Sequence, residues 1–160
     1  MSKVALVLVG FLILAAVLIA ATPPPANPRA EVTAAVNAYI DAENRGDVYE
    51  MMALVSRRDD IVSISDGQIQ RGWQTIRNSN DQIVGHESGP GMTLGPVDVM
   101  VLGPTAAVAV APFTFTVASA QGSVRVPGAT SFVFEKSSGK WLVVHEHTSI
   151  TTQEVARGIE

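Results

Sequence analysis

The sequence contains no cysteine. That absence excludes disulfides, thiolate metal sites and a cysteine nucleophile together, and with them a lipid-anchor cysteine behind the N-terminal segment. Basic residues are scarce as well: 11 Lys and Arg stand against 15 Asp and Glu, for a formal net charge of −4. A nucleic-acid-binding chain needs a basic face, so this balance argues against nucleic acid as a partner. No glycine-rich nucleotide loop, no Ser-His-Asp spacing and no metalloprotease helix motif occurs. There is no internal repeat.

What is present suits one compact domain with an extra apolar segment: 160 residues, 47% hydrophobic and 16% charged. Residues 1–22 read as a signal peptide or membrane anchor. Lys3 supplies a short positive start, and Val4 to Ala21 is uncharged and almost wholly apolar, broken only by Gly10. A run of about 18 residues reaches across a bilayer, and Leu18 and Ile19 make a poor cleavage signal before Ala20 and Ala21. With Lys3 inside, either reading exports the remainder, and residues 4–21 would be the contact with the membrane. Residues 23–27, opening on Pro23-Pro24-Pro25, form a Pro-rich linker, and the folded domain is expected over residues 28–152, followed by a tail over 153–160.

Asn27-Pro28 predicts a capped helix start. Val32, Val36, Tyr39, Ile40 and Glu43 then recur at helical spacing up to a stop at Gly46. Asp47 to Glu50 has a capping-box-like spacing and opens a second helix carrying Met51, Met52, Leu54 and Val55. Ile61–Ser65 alternates as a strand, Asp66-Gly67 signals a tight turn into Gln68-Ile69-Gln70, and Arg71–Arg77 leads into a third helix. A loop over Gly85–Gly91 holds His86, Glu87 and Pro90. Strands follow over Val97–Leu102, Ala106–Val117, Ser123–Glu135 and Lys140–Ile150, separated by turn residues. Pro127-Gly128 suggests a bulge or bend inside the third of these. Helices followed by antiparallel strands is an α+β pattern: three N-terminal helices packed on a strongly curved, mostly antiparallel sheet, forming a cone-shaped barrel. Ala107, Ala109 and Ala111, then Phe113 and Phe115 on the same face, fit a cone that widens.

The last strand organises the rest. Simple alternation puts Trp141, Val143, His145, His147 and Ser149 on one face and Leu142, Val144, Glu146, Thr148 and Ile150 on the other. Two of the three histidines then share a face. Three readings of the pair stay open: hydrogen-bonded wall residues, a general acid or base, or two metal ligands with His86 or a carboxylate as a third. The Tyr39 hydroxyl, on a core-facing stripe, needs a partner in the core or on a ligand. Trp73 and Trp141 read as core before ligand platform, and Asp59, Asp60 and Asp66 as turn residues.

Several of these residues resemble a known family. Tyr39 with Asn44-Arg45-Gly46-Asp47, Asp59-Asp60 before the first strand, Arg71-Gly72 with Ile76-Arg77, and Trp141 with His145, His147 and Ser149 are together similar to the SnoaL-like group of the nuclear-transport-factor-2-like superfamily. The resemblance covers about residues 28–151. It implies a cone-shaped α+β barrel with an internal pocket, frequently a homodimer through the sheet. It also implies activities ranging from isomerases, cyclases, dehydratases and epoxide hydrolases to none, so fold alone does not assign function. In the steroid isomerase branch, Tyr39 matches the tyrosine that donates to an oxyanion, while Ser65 and Thr130 stand near the places of its two aspartates.

These readings give three expectations. The first is an exported or membrane-tethered domain binding a small apolar molecule in a hydrophobic pocket lined by Tyr39, Trp73, Phe113, Phe115, His145 and His147. The second is an isomerase, cyclase or hydrolase using Tyr39, His145 and His147 as acid–base groups. The third is a non-catalytic interaction domain. No cofactor and no resident metal is implied. A homodimer is expected, because Val108, Val110, Phe132, Phe134, Leu142 and Val144 offer an apolar second face.

Overall fold

The computed structural model describes residues 27–83, 91–119 and 122–151. The leader, most of the linker, the tail and the loop carrying His86 lie outside them, so the expectations made for those segments do too. Helix α1 spans Pro28–Asn44, and the Asn27 side chain accepts from the Ala30 amide as its cap. Helix α2 spans Val48–Ala53, capped by Asp47, which accepts from the Glu50 amide. Between them Gly46 takes φ +70°, a left-handed stop that glycine adopts without a steric penalty. Strands β1 (Val62–Ser65) and β2 (Gln68–Arg71) form a hairpin whose turn residues Asp66 and Gly67 both have positive φ. Two central residues with positive φ match the twist of the flanking strands. Helix α3 follows over Trp73–Ile83.

Five further strands complete the sheet: β3 (Gly91–Leu94), β4 (Asp98–Val101), β5 (Ala106–Ser119), β6 (Gly122–Ser137) and β7 (Lys140–Ile150). Their order is β2-β1-β7-β6-β5-β3, with β4 also paired to β5. Every pairing is antiparallel except β1 with β7. Strand β3 is absent from the sequence reading, where the strands that follow the third helix begin at Val97. The ladder between β5 and β6 runs unbroken through Pro127 and Gly128, so no bulge lies there. Gly128 answers a different need. A Cβ on it would collide with the Phe113 ring and the Ser149 carbonyl, so it permits close approach.

The irregularity falls on β7 instead. Phe134 pairs with Val143 while the adjacent Val133 pairs with His145, leaving Val144 as an extra residue. Alternation therefore changes phase at Val144. Trp141 and Val143 are buried in the core, and the positions that continue this inner face are Glu146 and Thr148, opposite the buried Phe132 and Thr130. His145 and His147 lie opposite Val133 and Ser131 on the outer face, His147 being exposed.

The core sits between the inner face and the helices. Val32, Val36, Tyr39 and Ile40 of α1 and Met51 and Met52 of α2 pack against Ala107, Ala109, Phe113, Phe132, Phe134 and Val143. The alanines admit the helix closely, and the phenylalanines fill the widening end. Because Ala107 and Ala109 face Phe134 and Phe132 in register, both phenylalanines point inward. They do not share a face with Val108 and Val110, as the expected apolar second face required. At the other end Glu31 accepts from Lys136 Nζ at 2.6 Å and from Trp141 Nε1 at 2.8 Å, pinning the start of α1 to the β6–β7 hairpin.

Candidate ligand pocket

A cavity of about 190 Å³ opens between α1, α3 and the wide end of the sheet. Helix α1 delivers Tyr39 and, one turn on, Glu43; β1 and its turn supply Ser63, Ser65 and Asp66; β7 supplies Glu146 and Thr148; Met92 and Phe115 form a softer wall. Ile64, Gln70, Ser79 and Asn80 complete the lining, and the Gln70 amide donates to the Ser79 hydroxyl at 2.7 Å. The wall is therefore mixed rather than hydrophobic. Edge strand β3 is held against the end of α1 by Asn44, whose side chain pairs with both the amide and the carbonyl of Met92 at 2.8 Å each. That clamp holds Met92 in the cavity wall.

At the buried end the Tyr39 hydroxyl donates to Glu146 Oε2 at 3.0 Å, and Ser63 Oγ reaches the same oxygen at 3.5 Å. Behind this pair a void of about 10 Å³ continues toward Val55, Ile61 and Val143, space for roughly one water. Burial raises the Glu146 carboxyl above its ordinary range, while hydrogen bonds from Tyr39, Ser63 and Thr148 pull it back. Thr148 is itself bonded to the buried Thr130 hydroxyl at 3.0 Å. Glu43 is pushed up to about 7, first by burial and then by the Glu146 charge. Burial, with the Glu146 and Glu43 charges, holds the Tyr39 phenol well above its usual value, so it remains a neutral donor. The cluster thus offers a fixed donor and, in Glu43, a group that exchanges a proton near neutral pH.

Of the residues expected to line a pocket, Tyr39 and Phe115 do so. Phe113 is buried beside Phe115, ring centroids 4.7 Å apart, and belongs to the core. Trp73 is half-buried, donates to the Met52 carbonyl at 3.2 Å and is flanked by the Arg57 and Arg77 guanidinium groups. His145 and His147 are not brought to the cavity; the extra residue at Val144 gives that place to Glu146. Among the described residues no three His, Asp or Glu side chains come together as a metal-ligand set. Glu43 and Glu146 were missed as site residues although both carried a signal. Each is a lone carboxylate in a row otherwise apolar, Glu43 at the end of the α1 stripe and Glu146 beyond Leu142 and Val144.

Fold and cavity define a cone-shaped α+β domain with an internal pocket. The chain belongs to the SnoaL-like domain family, whose model matches residues 32–153. No curated protein matches the sequence closely enough to count as a relative. Among solved structures, the chain is similar to a candidate dehydratase of the NTF2-like family from Streptomyces avermitilis: 18% identity, TM-score 0.69, covering 77% of this chain and 95% of that one. It is similar also to a candidate calcium/calmodulin-dependent protein kinase II association domain from Xanthomonas campestris, at 24% identity and TM-score 0.66, covering 83% and 94%. A third is the association domain of the C. elegans kinase, at 17% identity and TM-score 0.63, covering 76% and 95%. Likeness at these identities establishes the fold and nothing finer. Among the described residues no helix is long and apolar enough to cross a membrane.

Proposed function

We propose that this is an exported or membrane-tethered domain that binds a small molecule in the cavity beneath Tyr39 and Glu146. The observation that carries the reading is the cavity of about 190 Å³, lined by convergent polar groups beside Met92 and Phe115. Export rests on Lys3 and the apolar run Val4–Ala21, followed by the Pro-rich linker. The binding test is a thermal-shift fragment screen on the wild type and on Ser65→Phe, which plugs the cavity from its exposed end. Fragments should raise the wild-type midpoint and lose that effect in the plugged variant. Fragments that act equally on both, or none that act, would sink the pocket reading. N-terminal sequencing and cell fractionation test export; an intact chain found in the soluble cytoplasm would refute it.

A second reading is favoured by Glu43, whose value of about 7 suits general acid–base work at neutral pH. Under it, Glu43 moves a proton on the ligand, and Tyr39 turns its single O–H from Glu146 to the oxygen that gains charge. Glu43→Gln should then lower turnover by about 10²–10⁴ on any substrate found, and unchanged turnover would leave binding as the role.

A further inference from the structure

We propose that the cavity takes a small organic cation, its ammonium group seated between the carboxyl groups of Glu43 and Glu146 and its carbon skeleton against Phe115 and Met92. The proposal rests on the small-molecule reading above and gives that ligand a chemical class. Three lining residues carry carboxyl groups, Glu43, Asp66 and Glu146, and none of the described lining residues is Lys, Arg or His. The cations of the described ion pairs are engaged elsewhere: Arg45 with Glu50, Arg58 with Asp60 and Glu135, Arg77 with Asp81, and Lys136 with Glu31. Glu146 accepts at Oε2 from the hydroxyls of Tyr39 and Ser63, neutral donors that bring no positive charge to it. Glu43 lines the same cavity, within reach of the Glu146 charge, and when ionised is a like charge to it.

A monocation placed between the two relieves their repulsion. An anion adds to it, and a neutral ligand gains hydrogen bonds but no charge compensation. Phe115 presents an aromatic surface and Met92 a polarisable sulfur, both suited to the methylene or methyl groups around a charged nitrogen. The volume of about 190 Å³ limits the ligand to one small ring or short chain.

The same geometry couples binding to protons. The groups that face Glu43 are Tyr39 on its own helix, Glu146 from β7 and, at the exposed end, Asp66 in the β1–β2 turn; α3, β2 and β3 contribute Ser79, Asn80, Gln70 and Met92, none of which titrates. A cation beside Glu43 favours its ionised form, so near pH 7 binding should release a fraction of a proton, and affinity should rise from pH 5 to pH 8.

The test is titration calorimetry of the full chain with benzylamine, benzyl alcohol and benzoate, matched in size, in two buffers of different ionisation heat. Benzylamine should bind at least about tenfold tighter than benzyl alcohol, benzoate should not bind, and only benzylamine should release protons. Glu43→Gln, nearly isosteric and checked for an intact melting transition, should cost benzylamine about tenfold and abolish its proton release. Benzyl alcohol or benzoate binding as tightly as the amine would overturn the cation proposal while leaving a small-molecule pocket in place. Failure of all three probes also overturns it, and the fragment screen against Ser65→Phe then shows whether the pocket reading falls as well.

Discussion

At the scale of single residues, Glu43 and Glu146 make stability depend on pH in the direction opposite to a salt-bridged carboxylate. Both carboxyls are raised by burial, Glu43 to about 7 from an ordinary 4.5. A raised carboxyl holds its proton in the folded state after the unfolded chain has released it. For Glu43 the contribution is therefore complete below about 4.5 and is lost as pH rises through about 7; Glu146 acts in the same direction. Denaturant titrations should show the protein less stable at pH 8 than at pH 5 by on the order of 1–2 kcal/mol, discounting for water that reaches a half-buried carboxyl. Glu43→Gln should flatten that slope, and an unchanged slope in the variant would rule Glu43 out as its source. Tyr39→Phe removes the donor to Glu146 and should cost about 1–3 kcal/mol, read as a shift of the denaturation midpoint; a null effect would mean that Ser63 and Thr148 suffice. How far the site was legible follows from the same residues. Tyr39 could be placed from its position on the α1 stripe. Glu146 stands out as a lone carboxylate, but its face could not be placed, because it depends on a one-residue irregularity that no turn signal marks.

Strand β7 shows at the scale of elements why boundaries were legible and orientation was not. Its span, Lys140–Ile150, follows from the turn at Ser137-Ser138-Gly139 and the β-branched run behind it. The phase change at Val144 depends on how β7 meets β6 and the parallel partners Val55 and β1, which are long-range contacts. Helix caps were legible because Asn27 and Asp47 act on amides three residues away. Strand β3 was not, being four residues long and fixed by Asn44 from another element. Gly128 gives this scale its prediction. Gly128→Ala puts a methyl group into the Phe113 ring and the Ser149 carbonyl and should destabilise by about 1–3 kcal/mol. Adding Phe113→Leu should recover only part of the loss, since the carbonyl clash belongs to the backbone. Full recovery would show that the ring was the whole obstacle.

At the scale of the molecule, the helices cover one face of the sheet, and among the described residues nothing packs on the other. Register places Met100, Val108, Val133 and His145 in one row across β4, β5, β6 and β7, with Val110, Ser131, His147, Ile64 and Ile69 in the next. Several of these apolar side chains are open to solvent: Met100 is 62% exposed, Ile69 57% and Val110 45%. Leu102, at the end of β4, is 57% exposed. Isolated exposed apolar residues need no explanation, but rows spread over adjacent strands mark a surface meant to be covered. The face is twofold-compatible, because one such patch can meet the same patch on a second copy. We expect a homodimer through it, with His145 and His147 near its centre rather than in the pocket. Sedimentation equilibrium on a chain beginning at Asn27 should give twice the monomer mass. The double variant Met100→Glu, Val110→Asp should shift it toward monomer by placing like charges across the contact, with the pocket and its pH response intact. A wild type that remains monomeric across concentrations, or a double variant that dimerises as well as the wild type, would show that the outer sheet face is not the contact.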